Sequence, residues 1–229
     1  MLKNLFQNIY EKAVDLNHKN ISKLFDKKEN ILLLDLGCDD GILIKKIADE
    51  VGIKNIYGVD IMDERIEIAN KNGLLVKKFD LNTKFDFGDN FFDIVHANQV
   101  IEHLYDSDNF ISEIYRVLKP GGCAIISTEN ASSWCNIFAS IMGWQIFSLT
   151  NFSNIKDGIG NPLALHKGKS NLESWCHSRI YNIRGLKEYF EIFEFKVEEI
   201  RGSGYFPFPA IFGNLDKIHC HFMTFKIRK

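Results

Sequence analysis

The segment Ile31-Leu-Leu-Leu-Asp35-Leu36-Gly37-Cys38-Asp39-Asp40-Gly41 joins a short unbroken apolar run to an acidic loop bounded by two glycines. An apolar run of that length, stopped by Gly37, predicts a strand buried on both faces. A helical stripe, Ile44, Ile47, Ala48 and Val51, begins just after Gly41. The loop therefore sits where a strand ends and a helix starts, and glycines there let the backbone turn tightly and approach a ligand. In open α/β sheets, ligands bind beyond the carboxyl ends of the strands. The G-x-G-x-x-G of dinucleotide sites is absent, because Gly37 and Gly41 stand four apart with Asp39 between them. Asp35, Asp39 and Asp40 would repel a pyrophosphate, so the loop predicts a cationic or phosphate-free nucleoside ligand.

Outward from this segment the same alternation repeats. Asn55–Asp60 reads as a second strand, followed by a helix that Asp63 can cap and Asn72-Gly73 ends. Leu74-Leu-Val76 leads a third strand into Phe79-Asp80, and Phe91–Ala97 is a fourth. Phe110, Ile111, Ile114, Val117 and Leu118 form a helix stripe stopped by Lys119-Pro120-Gly121-Gly122, and Cys123–Ser127 is a fifth strand. Alternating strand and helix predict a doubly wound, mostly parallel sheet covered on both faces. Residues 130–182 break the rhythm; they are rich in Asn and Ser yet carry Trp134, Trp144, Phe147, Phe152 and Trp175, which predicts a lid containing some helix. Within it, Trp134, Ile137, Phe138, Ile141, Met142, Trp144 and Ile146 read as lid core. A helix capped by Asn182 and two strands, Phe195–Arg201 and His219–Arg228, close the chain. Leu2, Leu5, Phe6, Ile9, Ala13 and Leu16 recur at helical spacing and open it.

Composition narrows the function classes. The chain has 229 residues, 45% hydrophobic and 25% charged, the balance of an ordinary globular protein. Lys+Arg 28 against Asp+Glu 30 gives a net charge of -2, which weighs against a nucleic-acid partner. The cysteines, Cys38, Cys123, Cys135, Cys176 and Cys220, contain no C-x-x-C and suit a reducing compartment. No signal-peptide core and no run of roughly 20 apolar residues is present, so a soluble, cytoplasmic protein without a transmembrane segment is expected.

Acids recur at successive strand ends: Asp60, nineteen residues after Gly41, is placed for ribose hydroxyls, and Asp80 for an exocyclic amine. With LLDLGCDDG, GVD, FDL, FFDIVHANQVIEHL and YRVLKPGG in this order, the sequence resembles the class I S-adenosylmethionine-dependent methyltransferases of the small-molecule group. The resemblance implies a Rossmann-like α/β fold of seven strands with an antiparallel last strand and a lid inserted after strand five. It implies one methyltransferase domain over 1–229: an N-terminal helical segment 1–28, a cofactor-binding core 29–129, the insertion 130–182, and a closing helix and strands 183–229. It further implies that Asp35, Gly37, Cys38 and Gly41 shape the pocket for the methionine part of S-adenosylmethionine. Asp60 would hold the ribose, with Ile61 and Met62 against the adenine. Asp80 and Leu81 would meet the adenine edge, and backbone at Asn98 and Gln99 would face the aminoacyl group. The family usually has glycine where this chain has Asp39, so the loop works unchanged only if Asp39 is left-handed.

The acceptor side is read from Glu102, His103 and His177, the candidate catalytic residues. Glu102-His103 follows strand four, and His177 with Arg179 matches a His-x-Arg found in the group; His166 in the insertion could serve similarly. In ubiquinone-pathway and small-RNA members, E-x-x-E-H supplies metal ligands. Gln99 replaces the first acid here, and no metal ion is expected. His219-Cys220-His221 on a strand would turn its two histidines to one face and its thiol away, which does not make a metal site. Tyr205-Phe-Pro-Phe-Pro209 reads as a packed turn, a second aromatic edge of the pocket or a homodimer contact. The expected activity is methyl transfer to a small-molecule, saccharide or lipid-linked acceptor, at oxygen; the alternative is a non-catalytic binding or partner subunit that retains the fold.

Overall fold

The buried hydrophobic runs assemble into one sheet. The computed structural model describes residues 2–26, 30–153, 155–165 and 176–229. In chain order its first half comprises α1 (Leu2–Ser22), β1 (Leu32–Leu36), α2 (Ile42–Val51), β2 (Asn55–Asp60), α3 (Asp63–Lys71), β3 (Leu75–Lys78) and β4 (Phe92–Asn98). The second half comprises α4 (Ser107–Val117), β5 (Leu118–Glu129), α5 (Trp134–Ile141), α6 (Ile183–Ile192), β6 (Lys196–Ser203), α7 (Phe212–Leu215) and β7 (Phe222–Arg228). The strands lie in the order β3-β2-β1-β4-β5-β7-β6, the expected Rossmann-like arrangement. β1 to β5 are parallel, and β7 enters antiparallel between β5 and β6. Among the described residues, no helix is long and apolar enough to cross a membrane.

Alternation along each strand feeds two cores. Leu34, Leu36, Val95, Ala97 and Ile126 pack on Phe110 and Ile114 of α4 and on Leu186 and Phe190 of α6. Leu33, Ile94 and Ile125 pack oppositely on Ile21 and Leu24 at the end of α1 and its exit and on Ile44 and Ile47 of α2. Burial on both faces is why these strands read as unbroken hydrophobic runs. Because β1 leads to β2 on one side while β4 lies on the other, the carboxyl ends of β1 and β4 part and leave a crevice.

The boundaries differ from expectation in two informative places. The His219-Cys220-His221 triplet precedes β7 instead of lying in it, so its side chains do not alternate. The expected lid core is also redistributed: α5 buries Cys135, Asn136 and Ala139, whereas Ile141 and Met142 face outward at 78% and 49% exposure. Hydrogen bonding sets that rotation. Asn136 Nδ2 donates to the Asn130 carbonyl at 3.0 Å and to the Ser148 hydroxyl at 2.9 Å, which turns this polar position inward. His166 and Trp175 lie outside the described residues.

α1 lies against β6 and β7 through a stripe that includes polar residues. Asn17, only 3% exposed, donates from Nδ2 to Asn98 Oδ1 at 3.2 Å and to Ser127 Oγ at 3.0 Å. Its Oδ1 accepts from Ser127 Oγ at 3.1 Å and from Thr224 Oγ1 at 2.8 Å. One amide thus joins the helix to the ends of β4 and β5 and to β7. We predict that Asn17→Leu lowers the unfolding free energy in urea by about 2–3 kcal/mol, because several buried polar groups lose a partner together. A loss below about 0.5 kcal/mol would show that Ser127 and Thr224 satisfy each other without it.

Candidate active site

The glycine loop leaves β1 with the conformation that its composition demands. Gly37 has φ +67°, and a Cβ there would lie 2.7 Å from Val100 Cγ2. Gly41 has φ +75°, and its Cβ would press on Leu74 at 3.0 Å. Asp39 is left-handed as well, at φ +48°. Its N–H donates to Asp60 Oδ2 at 3.0 Å, and its carboxylate meets Arg65 Nε at 3.1 Å. Burial, with Asp40 and Asp60 nearby, pushes the Asp39 carboxyl above its ordinary value against the pull of Arg65. The loop is therefore acidic but held in one shape, and Arg65 is a participant that sequence reading missed.

Asp35 and Cys38 are turned inward. Asp35 is buried and pairs with His96 Nδ1 at 2.6 Å, while the Cys38 sulfur packs where a Cβ on Gly58 would fall, 2.8 Å away. Burial raises the Cys38 thiol well above its usual range. These two support the loop from behind, leaving backbone as the part of Cys38 that can meet a ligand.

The remaining expected cofactor residues line the strand ends. Asp60 Oδ1 accepts from the N–H groups of Ile61 at 2.8 Å and Met62 at 2.9 Å, which fixes its carboxylate beside the loop. Ile61 is 49% exposed, an apolar shelf at the crevice. Asp80 Oδ1 accepts from Asn82 N at 2.9 Å and Nδ2 at 2.8 Å, beside buried Leu81. Gln99 turns out of β4 at φ +57°, and its buried Nε2 has no hydrogen-bond partner among the described residues. Glycines that cradle close contact, an apolar shelf, fixed acids and an orphaned amide donor together fit a cationic nucleoside carrying an aminoacyl group.

Glu102, His103 and His177 converge past β4, with ligand atoms all within 4.8 Å of one another. His103 Nδ1 lies 3.1 Å from the Cys176 carbonyl, and His177 Nδ1 lies 2.7 Å from the Ser148 carbonyl. A carbonyl can only accept, so each Nδ1 carries a hydrogen and each Nε2 is left for other partners. Two imidazoles pinned in this way, with one carboxylate, make a donor set able to hold a divalent ion. Sequence reading finds only two donors near residue 99 because it does not join His177 to them. Burial pushes Glu102 up to about 7, although His177 and the 2.9 Å hydrogen bond from Thr128 Oγ1 oppose it. Glu102 Oε1 is buried without a hydrogen-bond partner among the described residues. Burial, reinforced by His177, lowers His103 to about 4 and keeps that ring neutral.

The 219–221 triplet is divided between different neighbours. His219 Nδ1 meets Asp216 Oδ2 at 2.7 Å and stacks on Trp134, with ring centroids 4.5 Å apart. His221 turns to Cys135 and Glu129 instead.

A profile of the methyltransferase domain family matches residues 7–200. The chain belongs to the S-adenosylmethionine-dependent methyltransferases. Phosphoethanolamine N-methyltransferase 2 of Caenorhabditis elegans is 29% identical over 153 residues, covering 62% of this chain and 34% of that protein. Ubiquinone biosynthesis O-methyltransferase of Rickettsia prowazekii is 31% identical over 137 residues, covering 56% of this chain and 51% of that protein. The chain thus spans between a third and a half of these curated relatives' lengths. An S-adenosylmethionine-dependent methyltransferase from Mesorhizobium loti shares the fold with a TM-score of 0.62 at 15% identity, covering 92% of this chain and 96% of that one. S-adenosylmethionine is accordingly the methyltransferase cofactor, and the crevice carries the features that suit it.

Two measurements check this site. Asp39→Gly is expected to leave S-adenosylmethionine affinity equal or slightly better by calorimetry, since glycine adopts φ +48° freely and the exposed Arg65 pair is worth little. Weakening by an order of magnitude would make Asp39 a direct ligand contact. Glu102 supplies a pH test. Its folded value of about 7 lies above the ordinary 4.5, so stability is full below 4.5 and falls as pH rises through 7, where the unfolded chain ionises more readily. Glu102→Gln should remove that loss, gaining about 3 kcal/mol over wild type at pH 8 relative to pH 4, read from urea melts. A pH-independent difference would show that Glu102 ionises normally.

Proposed function

We propose that this protein transfers the methyl group of S-adenosylmethionine to a hydroxyl oxygen of a small-molecule acceptor, saccharide or lipid-linked compounds being the wider class considered. The cofactor, when bound, supplies a methyl group already activated for displacement. The chain's own work is then to hold the cofactor, orient the acceptor and receive one proton. We assign the chain as one methyltransferase domain whose 130–182 segment covers the acceptor.

The observation that carries the choice of oxygen is Glu102. Burial poises it near pH 7, and its Oε1 has no hydrogen-bond partner among the described residues. A hydroxyl must lose its proton as oxygen attacks the methyl carbon and the carbon–sulfur bond breaks; Glu102 is positioned in this reading to take it. His103 and His177 flank that carboxyl and help orient the acceptor. On the cofactor side, Gly37 and Gly41 give the close approach, Asp60 the ribose contact, Ile61 and Met62 the adenine shelf, and Asp80 and Leu81 its edge. Asn98 and Gln99 face the aminoacyl group, with Asp35 and Cys38 supporting the loop. The alternative of a non-catalytic subunit rests on Asp39 distorting the glycine loop; its left-handed geometry and its pairing with Arg65 remove that support.

Calorimetry with S-adenosylmethionine tests the reading. Wild type should bind, and Asp60→Ala should weaken binding by about 1.5–3 kcal/mol through loss of a charged hydrogen-bond acceptor. No heat at millimolar cofactor would overturn the assignment, and an unchanged dissociation constant in the variant would reduce Asp60 to a loop fastener.

A further inference from the structure

We propose that the chamber between α1, the carboxyl end of β5 and the turn after β6 is the acceptor's binding site, in which Glu129 and His221 together grip one hydroxyl of an acceptor with an apolar body. This rests on the methyl-transfer reading and adds to it the residues that select the acceptor.

The chamber has a volume of about 90 Å³ and is partly open. Phe6, Ile9, Phe147 and Phe206 contribute apolar lining, and Tyr10, Glu129 and His221 are among its polar residues. Phe6 stacks between Phe206 and Phe147, with centroids 4.7 Å and 6.1 Å away, so the apolar side is a continuous aromatic wall. A cavity of roughly 150 Å³ with apolar walls takes up a benzene ring. A smaller, partly open one suits a single ring or the leading end of a longer molecule. The stacked aromatic wall favours a flat apolar ring over a body bearing hydroxyls on every side.

The polar side is incomplete as it stands. Among the described residues, Glu129 Oε2 and His221 Nε2 are both buried with no hydrogen-bond partner. Nε2 lies 3.9 Å from Glu129 Oε1, beyond hydrogen-bond reach, while His221 Nδ1 is occupied by Cys135 Sγ at 3.1 Å. Burial disfavours a charged His221, but Cys135 and Glu129 outweigh it and raise the ring to about 9. Burial likewise opposes the Glu129 charge, and His221, His177 and the Ser148 hydroxyl outweigh it, holding the carboxyl below its ordinary value. At neutral pH the pair therefore offers one N–H donor beside one carboxylate acceptor. A hydroxyl complements both, donating to Glu129 and accepting from His221. An ether can only accept, and a hydrocarbon does neither.

The test titrates the full chain with phenol, anisole and toluene, which share a ring and differ in that one group, following saturation-transfer NMR. Phenol is expected to bind at least fivefold more tightly than the other two. Glu129→Gln should cut that preference at least threefold, with S-adenosylhomocysteine affinity unchanged within twofold. Should the Glu129→Gln variant fail to fold, Ile9→Trp fills the apolar end without touching the pair and should weaken phenol and toluene alike by tenfold or more. Equal binding of the three compounds, no binding of any, or phenol affinity indifferent to Ile9→Trp would overturn the proposal. These titrations need no cofactor, so a protein that binds phenol selectively but not S-adenosylmethionine would sink the methyl-transfer reading and leave the chamber standing.

Discussion

The buried amide of Asn17 fastens the molecule at the one place where its parts have least else in common. A doubly wound sheet covers its faces with the helices that connect its strands, but α1 precedes the first strand and no crossover dictates its position. Hydrogen bonds between Asn17 and Asn98, Ser127 and Thr224 supply that instruction. Their geometry is exacting because each partner is itself a strand residue in register. Close approach completes the docking: a Cβ on Gly204 would fall 2.7 Å from Ala13 Cβ, so α1 seats one turn before Asn17 only because residue 204 lacks a side chain. Phe6, Tyr10 and Ala13 are thereby delivered over the chamber at the end of β5.

Charge is sorted at the strand ends with the same economy. Glu102 and Glu129 are both removed from water, yet they move in opposite directions. Glu102 has His177 as its chief compensating charge and rises, whereas Glu129 is within the influence of His221, His177 and His103 and falls. The imidazoles split correspondingly: His103, lowered by burial and then by another imidazole, drops to about 4, and His221, buried between a thiol and a carboxylate, climbs to about 9. Groups of one type pushed apart by their surroundings suit different tasks, and in the proposed reading one carboxyl accepts a proton near neutrality while the other stays ionised as an anchor.

What can be read from the chain before folding follows from distance along it. Ile31–Leu36 and its successors announce buried strands because the signal is local, and Gly37, Gly41, Asp60 and Asp80 announce a crevice because each sits at the end of such a run. Asn17 and Asn20 are illegible: an apolar-periodicity reading of α1 favours Leu16, whereas the stripe that is buried contains two amides with partners more than eighty residues away. Glu129 gives no sign beside Ser127-Thr128, and His221 reads as part of a strand that in fact begins one residue later. Their meeting spans ninety-two positions and depends on β7 entering beside β5. Arg65 is hidden for a related reason, its worth lying in a loop that precedes it by two elements.

The last three residues of β5 show how the two polar clusters are related. Successive strand residues face opposite sides of a sheet. Ser127 joins the Asn17 network and Glu129 lines the chamber beneath α1, while Thr128, between them, donates to Glu102, which lies within electrostatic reach of Glu129 and Tyr10. A single strand end thus anchors the helix, hydrogen-bonds the candidate base and supplies the carboxylate proposed to grip the acceptor, each by its place in the pleat. The two clusters are also joined by Ser148 in the inserted segment, whose carbonyl pins His177 and whose hydroxyl steadies Glu129. Asn136 in turn holds that hydroxyl at 2.9 Å. The insertion is therefore wired to both clusters through one residue, so any movement that displaced Ser148 would release the imidazole beside Glu102 and the carboxylate beside His221 together.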